Sequence, residues 1–154
     1  MGRREDLLRR EAEGRDRIAG LLDGLSIEQL ERPGLTPEGW SIRDLLWHLA
    51  VWSEDTARVL REMAAGTWDG SDPSLEPGWT DRTNDEQFAR SRTMGIGEAR
   101  AAWIEGRRAA LEAFGALEDV TPQADEWFEE SGPTHHAGHL PDLVDWVRRL
   151  RSGA

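Results

Sequence analysis

The sequence predicts an all-α protein, a four-helix bundle with long loops after the second and third helices. Apolar residues recur at the spacing of an amphipathic helix in four long stretches, and no stretch alternates apolar and polar residues long enough to indicate a strand. Helices of this kind bury their apolar faces best against one another, which favours a bundle. The length of 154 residues fits a single domain over 1–154.

The first helical stretch covers about residues 4–25, with leucine and isoleucine on one face and charged side chains on the other. Ser26 and Gln29 have the spacing of a capping box, in which each residue satisfies the backbone N–H of the other. This pattern predicts one further short turn of helix. Pro33 and Gly34 then end that turn, because neither continues a helix well.

A second helix is predicted from Ser41, with Asp44 in its first turn, to about residue 65. Its apolar face is continuous along that whole length, which makes it the clearest helix in the chain. The segment 66–82 is rich in glycine, proline and aspartate, the residues typical of turns. It is therefore predicted to be a loop.

The third helical stretch covers about 84–117 and is interrupted near 94–97, where two glycines break the pattern. A second loop is predicted over about 118–133, ending in a glycine and a proline. Thr134 is the predicted N-cap of the last helix, which continues to about Leu150.

The composition excludes several classes of protein. The formal net charge is −11, so the surface would repel the phosphates of nucleic acid. No apolar run approaches the roughly 18–20 residues that cross a bilayer, and the N-terminus has no apolar signal segment, so a cytoplasmic protein without a membrane partner is expected. Cysteine, tyrosine and lysine are absent, which leaves hydroxyls and carboxylates as possible protein nucleophiles.

The positions of the histidines are the strongest indication of function in this sequence. His135 and His139 are four residues apart, so both side chains lie on one face of the last helix. If His48 on the second helix faces them, three imidazoles meet and could hold a divalent ion that keeps an open coordination position. Two alternatives stay open, because His136 shares a face with His139 and because a histidine on an apolar face is often a hydrogen-bonded core residue.

Residues 37–52 read PEGWSIRDLLWHLAVW, and residues 80–84 read TDRTN. The first segment is similar to the GWS-x-x-D-L-L-x-H-L helix of the DinB-like superfamily, and the second resembles the acidic-x-x-Asn stretch that opens the third helix of that superfamily. The superfamily includes the N-terminal domain of mycothiol-dependent maleylpyruvate isomerase, the bacillithiol transferases and the ClbS-type proteins. The resemblance implies one divalent metal ion, zinc or nickel, bound by His48, His135 and His139.

The same resemblance implies mycothiol or another low-molecular-weight thiol as cosubstrate, and Asn84 is a candidate residue for binding it. Trp52, one helical turn from His48, is a second candidate because an indole there could form the wall of a substrate cavity. Trp68 and Trp79 lie in the predicted loop, where tryptophans often cover a site.

No protein nucleophile is evident, so no catalytic side chain is assigned and the attacking group is expected to be a metal-bound water or the thiolate of a small cosubstrate. Glu54, Asp55 and Asp142 lie near the histidines in sequence and could orient a ligand or act as a base, although carboxylates on a solvated face are common.

The resemblance therefore implies a thiol S-transferase that acts on small electrophiles in detoxification. A metal-dependent hydrolase of ClbS type is the first alternative, and a non-catalytic stress protein that binds a metal or a small molecule is the second. The chain ends after the last predicted helix, without the further C-terminal domain of the maleylpyruvate isomerases, so isomerase activity is not expected. A homodimer is also expected, because dimers are common in the superfamily.

Overall fold

The computed structural model describes residues 2–153, and most of them are helical. The α-helices are α1 (Arg3–Leu22), α2 (Ile27–Glu31), α3 (Ile42–Ala65), α4 (Trp79–Ser91), α5 (Ile96–Gly115), α6 (Pro122–Glu129) and α7 (His135–Ser152). A 3-10 turn covers Pro73–Leu75, and a π-helical turn covers Glu130–Thr134. Within residues 2–153 there is no strand, which confirms the predicted all-α class.

The chain forms two compact units, one made of the residues up to Ile42 with those from Asp119 onward, and the other of Arg43–Glu118. In the first unit, α1 packs against α6, the π-helical turn and α7. Its buried apolar side chains include Leu7, Ile18, Leu22, Phe128, Leu143, Val147 and Leu150. The prediction of a single domain is not tested by this division and stays a prediction.

Polar contacts join α1 to α6 in the first unit. Glu129 accepts hydrogen bonds from Arg3 and from Arg10, and the Arg10 bond measures 2.7 Å. At α2 the capping box is confirmed: the Ser26 hydroxyl accepts from the Gln29 N–H at 3.1 Å, and the Gln29 side chain accepts from the Ser26 N–H at 2.9 Å. The Gln29 amide also donates to the carbonyl of Leu150 on α7, at 3.2 Å.

In the second unit, α3 approaches both α4 and α5 closely. A Cβ built on Gly106 of α5 would lie 2.9 Å from the carbonyl oxygen of Ala50, so only glycine fits there without a shift of the backbone. On the α4 side, the Ser91 hydroxyl donates to the Asp44 carboxylate at 2.6 Å, and both residues are buried. This hydrogen bond fixes the position of Asp44 on α3 relative to Ser91 on α4.

Two predicted boundaries differ from the structure. The helix predicted from residue 84 begins at Trp79, because Gly78 in a left-handed conformation ends the preceding loop there. The loop predicted over 118–133 is wrong, because it contains α6 and the π-helical turn. Thr121 caps α6 by accepting from the Ala124 N–H at 3.2 Å, and Pro122 fills the first helical position, where a missing N–H costs nothing.

The last helix begins at His135, as predicted, but Thr134 is not its cap. The Thr134 backbone is already helical and its side chain makes no capping hydrogen bond, because the π-helical turn leads directly into α7. Among the helices of residues 2–153, none is both long enough and apolar enough to cross a bilayer.

Candidate metal centre

The H-x-x-x-H pair lies in the first turns of α7. The ring centroids of His135 and His139 are 4.8 Å apart and tilted by 53°, so the two imidazoles share one helix face as their spacing predicts. Both side chains are half-buried. The turn that precedes them is π-helical, a distortion often found at functional sites.

His48 lies on α3 and is 4 % exposed. Its Nδ1 atom is 2.8 Å from the Oε1 atom of Gln87 on α4. The Trp52 indole, one turn further along α3, meets the His48 ring edge-on with 6.3 Å between centroids. The imidazole is thus constrained at one nitrogen and along one side.

Three histidines lie near one another and could hold a metal ion. One ring nitrogen from each of His48, His135 and His139 falls within 4.8 Å of the others. Neutral imidazole is a good ligand for zinc, nickel, iron and copper, and three such donors leave at least one coordination position open. The donor set therefore suits a divalent ion, as the sequence predicts.

Burial lowers the pKa of the His139 imidazole below its ordinary value, and the Asp142 carboxylate opposes part of that effect. The lowered pKa favours the neutral imidazole, which is the form that binds a metal ion.

Among the residues that the structure describes, the cluster does not include His136, although that residue was an alternative ligand. His136 is 4 % exposed and lies against Gly14 of α1. The assignment of His135 and His139 as the ligand pair stays a prediction, and the position of His136 against α1 agrees with it.

Aromatic side chains lie beside His48. Trp52 meets Trp79 edge-on, with 5.6 Å between ring centroids. Trp79, predicted in the loop, is the first residue of α4, so this contact joins two helices. Trp68 lies in the segment after α3 and is half-buried. The Oδ1 atom of Asn84 on α4 is buried, and within residues 2–153 no group donates a hydrogen bond to it.

The carboxylates that the sequence analysis names as candidates, Glu54, Asp55 and Asp142, are exposed or paired with an arginine. Asp55 accepts a hydrogen bond from Arg58 at 2.7 Å, and Glu54 is exposed. Asp142 is exposed as well, and its charge opposes the lowering of the His139 pKa by burial. None of these contacts assigns a catalytic role to a carboxylate.

Gln87 is the residue at this site that sequence reasoning missed. Nothing in its neighbourhood marks it, apart from its position one helical turn after Asn84. Its partner His48 lies 39 residues away in sequence, so only the packing of α3 against α4 identifies the pair.

A family model described as the mycothiol maleylpyruvate isomerase N-terminal domain matches residues 12–150. The match covers nearly the whole chain. The chain belongs to this family. The mycothiol maleylpyruvate isomerase N-terminal domain is a DinB-like domain, so the predicted superfamily is confirmed. Searches of curated proteins and of solved structures find no match to the chain.

Proposed function

We propose that this protein is a divalent-metal-dependent enzyme that transfers a low-molecular-weight thiol of mycothiol type to small electrophiles. The observation that carries the proposal is the cluster of ring nitrogens from His48, His135 and His139, within 4.8 Å of one another. Family membership supports the mycothiol part, because the family description names that thiol. The chain itself has no cysteine, so the reacting sulfur would come from the cosubstrate.

His48, His135 and His139 would hold the ion, with zinc or nickel as the proposed metal because both accept imidazole nitrogen. When bound, such an ion lowers the pKa of a coordinated thiol or water and fixes its position. Burial lowers the pKa of His139, which favours the neutral imidazole that serves as a ligand.

The cosubstrate would lie beside α3 and α4. Trp52 contacts both His48 and Trp79, so the two indoles would form an apolar wall next to the ligand histidine. The buried Oδ1 atom of Asn84 can accept a hydrogen bond from an amide N–H or a hydroxyl, and mycothiol carries both groups. A buried acceptor that no described residue satisfies is costly, which favours a bound partner.

Three further parts of the proposal concern the setting of the site. The four-helix bundle is supported by the lengths of α1, α3, α5 and α7, which have 20, 24, 20 and 18 residues. A cytoplasmic location is supported by the chemistry, because thiols are kept reduced there. A homodimer and a small-molecule substrate complete the proposal.

The proposed reaction forms a carbon–sulfur bond to the electrophile. The leaving group departs with the electron pair of the bond that breaks, and the thiol proton passes to solvent, so no oxidant or reductant is needed. The direct test incubates the protein, loaded with zinc or nickel, with mycothiol and a chlorinated electrophile such as monochlorobimane. Thiol and electrophile should disappear together, and only when metal is present.

His48→Ala should abolish this activity, and His136→Ala should retain it in the folded fraction, because His136 lies outside the cluster. Loss of the electrophile without loss of thiol would mean that the protein hydrolyses the electrophile and does not transfer the thiol to it. A second contrary result would be that the protein binds one equivalent of metal and consumes neither reactant when it is tested with mycothiol, bacillithiol or glutathione. That result would show a metal-binding protein without transferase activity. Either result would overturn the proposed transferase.

A further inference from the structure

Gln87 and His48 form a buried side-chain pair between α4 and α3. The Oε1 atom of Gln87 lies 2.8 Å from Nδ1 of His48, and the two residues are 6 % and 4 % exposed. A buried hydrogen bond of this length, in low dielectric, constrains both groups strongly.

An amide oxygen can only accept a hydrogen bond, so Nδ1 of His48 must carry the hydrogen. A neutral imidazole has a single N–H, so Nε2 carries no hydrogen and its lone pair can act as an acceptor or a ligand. We propose that Gln87 is a positioning residue that holds His48 in the Nδ1–H tautomer, so that Nε2 is presented as the metal ligand. This inference rests on the proposed function for the identity of the ion's ligands.

The contacts around the pair also restrict the ring. The Trp52 indole meets the imidazole edge-on at 6.3 Å, so rotation of the ring would have to displace an aromatic neighbour. On the other helix, Ser91 donates to Asp44 at 2.6 Å, and this bond holds α4 against α3 one turn beyond Gln87. Gln87 is therefore presented to His48 from a fixed helix.

The nitrogen of the Gln87 amide allows the two possible orientations of that amide to be compared. Its Nε2 atom is buried, and within residues 2–153 no acceptor takes its hydrogens. If the amide were turned over, that nitrogen would donate to Nδ1, and His48 would carry its hydrogen on Nε2, where it could not bind a metal. The two amide orientations therefore give opposite tautomers, which can be told apart.

The experiment uses the full chain without metal, labelled with nitrogen-15 in its histidines, at about pH 8, well above the ordinary pKa of imidazole. Nitrogen NMR distinguishes a protonated ring nitrogen from one with a free lone pair, and the His48→Ala spectrum identifies the signals of His48. The wild-type protein should show His48 as the Nδ1–H tautomer.

Gln87→Met, which keeps the length of the side chain but lacks the acceptor, should shift His48 towards the Nε2–H form. Gln87→Glu, which keeps an acceptor, should preserve the wild-type tautomer.

Ser91→Ala is the matched control, because it removes another buried hydrogen bond between α3 and α4 that does not involve a histidine. It should leave the His48 tautomer unchanged, even if the protein becomes less stable. In titrations with zinc, Gln87→Met should lose about 10–100-fold in affinity, and Ser91→Ala should bind nearly as tightly as the wild type.

An Nε2–H tautomer in the wild type, or an unchanged tautomer in Gln87→Met, would overturn the inference. A tautomer shift as large in Ser91→Ala as in Gln87→Met would also overturn it, because the effect would then be general loosening of the helices. If the wild type bound no metal, the proposed function would fail. The NMR comparison would still decide the role of Gln87, since it needs no ion.

Discussion

Gly14 on α1 lies so close to His136 on α7 that a Cβ built on Gly14 would fall 2.8 Å from the Cβ atom of His136. Real Cβ atoms do not approach that closely, so the two helices meet at a contact that only glycine allows. Gly20, two turns further along α1, has open space around its Cβ position. The two glycines of one helix therefore provide a matched pair for measuring the packing of α1 against α7.

Gly14→Ala should destabilise the protein by about 1–3 kcal/mol, because the added methyl group forces α1 away from His136. Gly20→Ala should instead stabilise it by about 0.5–1 kcal/mol, because alanine is the better helix former. Urea denaturation of both variants measures the difference. Equal effects at the two positions would contradict the close approach.

His136→Ala should keep one equivalent of bound metal, whereas His135→Ala and His139→Ala should lose it, because only the latter two belong to the cluster with His48. The same His136 substitution should lower the free energy of unfolding by about 1–3 kcal/mol, since it removes a side chain that is 4 % exposed. Elemental analysis and calorimetric titration of the folded variants measure the metal. Metal loss in His136→Ala with retention in His135→Ala would show that the ligand pair is assigned wrongly.

Hydrogen bonds from Arg10 and Arg3 hold the pKa of Glu129 below its ordinary value. A carboxyl group with a lowered folded-state pKa stabilises the fold fully above its unfolded-state pKa, near 4.5, and that contribution is lost as the pH falls through the lower folded-state value. Glu129→Gln should therefore lower stability at about pH 7 by only about 0.2–1 kcal/mol, because solvent screens these partly exposed pairs. The gap to the wild type should close at strongly acidic pH.

Urea titrations at neutral and acidic pH would measure this gap. Glu126→Gln, on the exposed side of the same helix, is the control and should change stability at neither pH. A Glu129→Gln defect of equal size at neutral and acidic pH would mean that the side chain contributes through packing rather than through charge.

Ser26→Ala should lower the free energy of unfolding by about 0.5–2 kcal/mol, because it leaves the Gln29 N–H at the start of α2 without its acceptor. Ser26→Asp should retain most of the stability, since a carboxylate accepts the same hydrogen bond. Thermal denaturation of both variants measures the effect. If both variants proved equally damaging, the cap would not be the reason for the serine.

Much of the helical pattern could be predicted because it depends on local spacing. The capping box at Ser26 is an arrangement within one turn, and it is present as predicted. The segment that contains α6 lies within 118–133, which the sequence analysis predicts as a loop ending in Gly132 and Pro133. Pro122 instead begins the helix after the Thr121 cap, a signal that was present in the sequence and was missed.

The sequence by itself determined the helical class of this protein, the family to which it belongs and the shared helix face of His135 and His139. These follow from the helical period and from short motifs, which need no knowledge of distant residues. Only the tertiary structure decided that His136 lies against Gly14 and that Gln87 meets His48. Each of those pairs joins residues on different helices, and the packing of one helix against another, which no local pattern encodes, brings them together.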